Sequence, residues 1–117
     1  MEIWHLTRRE DWDRAVETGG YRVSTRGATL DEVGFVHGSL PHQLAAVAEF
    51  VFADEPADLC VLVIDGAAAR AAGTRVELED GGGGERYPHV YGPIDPAWVL
   101  EVRAAWFDAG GRFVVGS

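Results

Sequence analysis

Six consecutive apolar residues, Leu59-Cys60-Val61-Leu62-Val63-Ile64, stand between Asp58 and Asp65. A short run that is apolar at every position fits a strand buried on both faces rather than one that alternates between core and water. It predicts a central strand, so the rest of the chain must supply a layer for each of its two sides. Two helical patterns are available, both upstream. The first covers about Arg8–Thr18, with Trp12, Ala15 and Val16 on one face, Thr7 and Glu10 at capping-box spacing, and Gly19-Gly20 as its stop. The second covers roughly 41–53, where Leu44, Val47, Ala48 and Val51 recur at helical spacing after Ser39, its expected cap, and Pro41.

The remaining elements read as strands. Glu2–Leu6, Tyr21–Val23, Phe35–His37, Thr74–Glu79 and Trp98–Val102 carry strand-like composition or alternation, and Trp106-Phe107 with Arg112–Val115 reads as a terminal hairpin. Gly66–Ala72 suits a short helix or a turn. Ser24–Glu32 is polar and irregular, an exposed loop carrying Arg26. Gly81–Gly84 is a flexible connection, and Glu79, Asp80 and Glu85 around it read as solvated loop acids. Arg86–Pro93 holds two prolines, so an extended path at an edge or a site wall is expected there rather than a regular ladder. Helices early and strands late give an α+β fold, not the even alternation of a doubly wound sheet. With no repeat and no linker, one domain over 1–117 is expected.

The candidate chemistry lies at strand ends. In Gly34-Phe35-Val36-His37-Gly38-Ser39 a short strand ends on a histidine and a tight turn. That places His37 at the mouth of a sheet beside a helix start, a position that suits anionic ligands. His5 and His89 also sit at strand ends among aromatic and small residues, whereas His42 falls in a first helical turn and reads as surface. An imidazole donates, accepts or binds metal near neutrality. The alternative for each is a satisfied, partly buried group. Glu77, on an alternating strand, faces away from Val76 and Leu78 and serves as a base or hydroxyl ligand if that face lines a cleft.

Other chemistries have less support. His5, His37 and His89 lack the close spacing of a zinc motif, so a metal-dependent hydrolase is a third-ranked reading and no metal ligand is assigned. Cys60 lies within the most apolar strand, where a thiol is inert packing, and a lone cysteine forms no internal disulfide. No G-x-S-x-G elbow exists for a serine triad. Ten arginines against 19 acidic residues leave a charge of −9, which argues against general nucleic-acid binding. Met1–Asp11 lacks the apolar run of a signal peptide, and no stretch is long and apolar enough to span a membrane, so a cytoplasmic protein is expected.

Three blocks, Ile3-Trp4-His5-Leu6-Thr7, Gly34–Ser39 and Tyr87-Pro88-His89-Val90-Tyr91-Gly92-Pro93, together with Gly110-Gly111-Arg112-Phe113, resemble the signature blocks of a small bacterial family known as domain of unknown function 952. That family is similar to the ADP-ribosyltransferase superfamily, most closely its RNA 2′-phosphotransferase branch. The resemblance implies a split antiparallel or mixed sheet of that kind, with two main helices near the N-terminal half. It implies that His5 and His37 are the catalytic pair framing a pocket for NAD as substrate, His5 orienting ribose hydroxyls. It also places Ser39 on ribose or phosphate, Arg8 and Arg26 by position on phosphate, Tyr91 and Tyr87 on the base, and Val90 or Tyr91 at the branch's third motif position. His89 and Glu77 complete the substrate-binding set. Cleaving a nicotinamide–ribose bond builds an oxocarbenium-like cation, and orienting hydrogen bonds with an aromatic wall suit that chemistry. The expected function is thus an NAD- or ADP-ribose-type nucleotide-binding domain with ADP-ribosyl- or 2′-phosphotransferase-like activity. Its partner is a small nucleotide or a modified macromolecule. The second-ranked alternative is a binding module without turnover.

Overall fold

The computed structural model describes residues 1–116 and is α+β. In chain order the elements are β1 (Glu2–Arg8), α1 (Arg9–Thr18), β2 (Val23–Thr25), β3 (Ala28–Thr29), α2 (Leu30–Val33), β4 (Val36–His37), α3 (Leu44–Val51), β5 (Leu59–Asp65), α4 (Gly66–Ala71), β6 (Arg75–Asp80), β7 (Arg86–Tyr91), β8 (Val99–Phe107) and β9 (Phe113–Val115). Short 3-10 turns, Pro41–Gln43 and Pro96–Trp98, lead into α3 and β8. The strands form a four-stranded sheet in the order β1-β5-β8-β9, a three-stranded sheet in the order β4-β7-β6, and a β2-β3 ribbon. Every ladder among the described residues is antiparallel. The two larger sheets meet where Trp4 of β1 exchanges backbone hydrogen bonds with Ser39, 2.8 and 2.9 Å.

The apolar run is the inner strand its composition predicts. Leu59 to Ile64 are all buried, and successive side chains alternate between two cores. Cys60, Leu62 and Ile64 pack with Ile3, Ala15, Tyr21, Val36, Val76 and Val90 on one side. Leu59 and Val61 pack with Leu6, Leu44, Ala48 and Phe52 on the other. The two upstream helices cover these two sides, because Ala15 belongs to α1 and Leu44 and Ala48 to α3.

Several local expectations are corrected. Thr7 does not cap α1: β1 continues through Arg8, Thr7 pairs with Cys60 and is buried, and the helix starts from Arg8 without a side-chain cap. Pairing with the central strand outweighs a capping bond available in water. Ser39 is likewise not a cap, since the turn before α3 starts from Leu40 and Ser39 is held in the bridge to Trp4. The segment Ser24–Glu32 is structured, forming the β2-β3 ribbon and then α2, which Thr29 and Glu32 close with a capping box. Gly81–Gly84 joins β6 to β7, and Gly82, Gly83 and Gly84 hold φ of 99, 69 and 82° in succession, a path that strongly favours glycine.

The main correction concerns Arg86–Pro93. Residues 86–91 form β7, the middle strand of its sheet, with regular ladders on both sides. Pro88 is accommodated because its neighbour on one side stops. Val36 and His37 pair with Val90 and His89, and the next amide, Gly38 N–H, donates to the Pro88 carbonyl at 2.9 Å. The reciprocal bond would need the N–H that proline lacks, and β4 ends there.

Gln43 ties this sheet to α3. Its side-chain oxygen accepts from Leu40 N–H at 2.8 Å and its amide nitrogen donates to the Arg86 carbonyl at 2.8 Å, both from a buried position. Replacing Gln43 by Leu strands two backbone groups. We expect a loss of about 1.5 kcal/mol, read as a lower urea midpoint with an unchanged slope. An unchanged midpoint would mean that water satisfies both groups.

Candidate functional site

The register of the three-stranded sheet assembles the site. His37 lies opposite His89, which lies opposite Glu77; Tyr87 is opposite Glu79, and Tyr91 opposite Arg75. With a side-chain period of two, these seven residues share one face, while Val36, Val76 and Val90 turn to the core on the other. One short sheet therefore carries an apolar inner face and an outer face of imidazole, phenol, carboxylate and guanidinium.

His89 is the centre of that face. It is only 5% exposed, and Phe35 stacks on its ring at 3.9 Å with an interplanar angle of 13°. Its Nδ1 lies 2.9 Å from Glu79 Oε1, and the Tyr91 hydroxyl donates to the same oxygen. A carboxylate only accepts, so Nδ1 carries the proton. In the neutral ring Nε2 is then a lone pair, and it is buried with no hydrogen-bond partner among the described residues. The Tyr91 and His89 bonds hold the Glu79 carboxyl below its usual range, and Glu79 in turn pushes the Tyr91 phenol up. The Arg75 guanidinium lies 3.9 Å from the centre of the Tyr91 ring, a cation–π contact.

The His37 ring sits 5.4 Å from both the His89 and Tyr87 rings. Burial, then the nearness of His89, lowers its pKa, so His37 is neutral at pH 7. An open groove of about 290 Å³ starts at His37 and Tyr87 and is walled by Val47, Phe50 and Gly81. Phe50 is 89% exposed there, an aromatic ring in water. Gly81 is needed beside it, since a Cβ at that position would lie 2.4 Å from the Tyr87 ring.

His5 stands behind this face. Its Nδ1–H donates to the His37 carbonyl at 2.8 Å, and its Nε2 accepts from the Tyr21 hydroxyl at 2.6 Å. With both nitrogens used and 3% exposure, it fixes the backbone from which His37 projects. Burial lowers its pKa to about 4. Ser39 is buried beside it in the bridge to Trp4. Arg8 and Arg26 form a separate cluster. Both reach Glu55, at 3.0 and 2.9 Å, and Arg26 also donates to the carbonyls of Val51 and Ala53.

Of the sequence-derived candidates, the sheet face thus unites His37, Glu77, His89 and Tyr91. His5 and Ser39 lie inward, and Arg8 and Arg26 lie together elsewhere. Glu77 is half-exposed and paired with Arg75 at 3.7 Å. The acid at the centre is Glu79, expected from the sequence among the solvated loop acids. Its place two residues after Glu77 was the available signal, because alternation puts both on one face. Phe35, Phe50 and Arg75 were also missed. Among the described residues no group of three His, Cys, Asp or Glu side chains is placed to hold a metal ion.

Comparison with known proteins places the chain. No curated protein matches it. The crystal structure of protein CC0527 from Caulobacter crescentus is similar, with a TM-score of 0.82 and 25% identity over 97% of this chain and 94% of that one. The solution structure of the same protein gives a TM-score of 0.75 and 25% identity over 95% and 90% of the two chains. A family model described as a protein of unknown function, DUF952, matches residues 6–102. The chain belongs to the DUF952 family.

Proposed function

We propose that the protein binds a nucleotide of the NAD or ADP-ribose type in the groove at His37 and Tyr87. The observation that carries this reading is the convergence of the Phe35, Tyr87 and Tyr91 rings, two imidazoles and a buried nitrogen without a partner among the described residues on one sheet face. Tyr87 and Phe50 offer rings on which a base can stack, worth about 1–3 kcal/mol per base in comparable sites. A groove of about 290 Å³ lies at the small end of ligand pockets, so it fits the nucleoside part of a dinucleotide and leaves the rest outside. The Arg75 guanidinium is on the same face, shared there with Glu77 and Glu79, and the charge of −9 argues against a polyanionic polymer as ligand.

In this reading His37 is the groove's contact residue and His5 its positioning residue. NAD and ADP-ribose should bind in calorimetry, and His37→Ala should weaken them by about tenfold, equal to about 1.4 kcal/mol. Absence of binding at millimolar ligand overturns the reading. Transfer of an ADP-ribosyl or 2′-phosphate group is a further step, supported by the superfamily resemblance. NAD consumption or phosphate transfer abolished by His37→Ala would support it, and binding without either leaves a binding module.

A further inference from the structure

We infer that His89 Nε2 is the acceptor for a hydroxyl of the bound ligand, so that the site selects a sugar-bearing ligand by hydrogen-bond donation from its ribose. This rests on the nucleotide reading and adds the atom that recognises the sugar.

The inference starts from proton bookkeeping. Glu79 takes the Nδ1–H of His89 in a charge-assisted bond at 2.9 Å. In the neutral form of the ring Nε2 can then only accept. Three contacts keep the ring from turning: Phe35 stacked on its face, Glu79 on its Nδ1, and Tyr91 steadying Glu79. The ring is thus held in one orientation with an Nε2 that no described residue uses. Buried polar atoms are ordinarily paired, and an oriented, unpaired one is where a ligand has most to gain.

The sheet order gives the direction of approach. Glu79 belongs to β6, on one side of β7, and His37 to β4, on the other. With Nδ1 turned to β6, the rest of the ring faces the β4 side, where His37 and the groove lie. No hydrogen bond to another described side chain holds the His37 ring, whose rotation a ligand's entry from the groove to Nε2 would require. Against the neutral ring a phosphate or carboxylate oxygen meets a lone pair with a lone pair. A hydroxyl is a donor and fits.

The test titrates the full chain with AMP, 2′-deoxy-AMP and 3′-deoxy-AMP. A site that hydrogen-bonds a hydroxyl rejects the analogue lacking it, so one deoxy nucleotide should bind wild-type protein about tenfold more weakly than AMP. In His89→Phe, which keeps an aromatic ring against Phe35 and loses the acceptor, the three should bind alike. Equal binding of all three to the wild type, or discrimination that persists in His89→Phe, overturns the inference and leaves the nucleotide reading standing. Failure of AMP, NAD and ADP-ribose alike to bind overturns both. Nitrogen NMR of the wild-type imidazoles is an independent check that needs no variant. A proton found on His89 Nε2 rather than Nδ1 at neutral pH overturns the inference whatever binds.

Discussion

Acidifying from pH 7 to pH 4.5 is expected to cost the fold roughly 2–3 kcal/mol through His5 alone. In the native state both His5 nitrogens are bonded inside the protein and burial holds its pKa at about 4, against 6.5 for the free side chain. A histidine whose folded pKa is depressed contributes stability that is complete above the unfolded value. Below pH 6.5 the unfolded chain takes up a proton that the native chain refuses. Stability therefore falls by about 1.4 kcal/mol per pH unit until the pH reaches the folded value, where the loss stops. His37, also depressed, adds a term of the same sign in the same range. Glu55 and Glu79, held low by Arg8 and Tyr91, lose their contributions only as the pH falls below 4.5, outside this window. Urea unfolding of wild type and His5→Gln between pH 7 and pH 4.5 isolates the term. The wild-type profile should fall more steeply, and parallel profiles would refute the burial of a neutral His5. If His5→Gln does not fold, proton NMR of native His5 decides the matter, because its ring should stay uncharged until the pH nears 4.

This acid sensitivity reaches the site through its scaffold. His5 accepts from Tyr21 and donates to the carbonyl of His37, so charging His5 forces Nε2 to become a donor where it had been an acceptor. The Tyr21 hydroxyl can then no longer donate to it. The strand that presents His37 is only two residues long, so a changed bond at its carbonyl acts close to the ring.

How much of this was legible in the sequence follows from which forces act locally. Leu59–Ile64 announced the buried strand because burial on both faces leaves only one kind of residue at each position, and the helices over Ala15 and over Leu44 and Ala48 were legible from spacing. The site histidines were legible as types at strand ends. Their division into a buried positioning residue, His5, and a groove residue, His37, was not, because burial depends on strands far away in the chain. The same holds for Arg8 and Arg26. They looked available for phosphate until Glu55, from the segment after α3, came between them. Pro88 misled for a related reason: proline marks a missing donor, but whether that matters is decided by where the neighbouring strand ends. Glu79 was hidden by the glycine loop that follows it, since its value comes from Tyr91 and His89 across the hairpin.

The junction that makes His37 possible depends on one missing side chain. Gly38 lies where β4, β7 and β1 come together, and an ideal Cβ there would sit 2.3 Å from Ile3 Cγ2 and 3.1 Å from the Pro88 carbonyl oxygen. Its backbone is not in the left-handed region, so the requirement is for space alone. Neither neighbour can yield. Ile3 is fully buried, β-branched and paired with Ile64 of the central strand, and Pro88 is a rigid ring whose carbonyl holds the Gly38 amide. Gly38→Ala is therefore expected to lose about 3 kcal/mol, at the upper end of overpacking costs. That lowers Tm by on the order of 10 °C. Gly20→Ala is the control, because its nearest contact would be Pro93 Cβ at 3.8 Å, and its stability should stay within about 0.5 kcal/mol of wild type. Ile3→Ala removes the clashing methyl, so adding it to Gly38→Ala should cost clearly less than the two changes measured separately, the coupling expected of atoms in contact. Additive losses, or a Gly38→Ala protein as stable as its Gly20→Ala control, would show that β1 and β4 can part without cost and that His37 is not held by their contact.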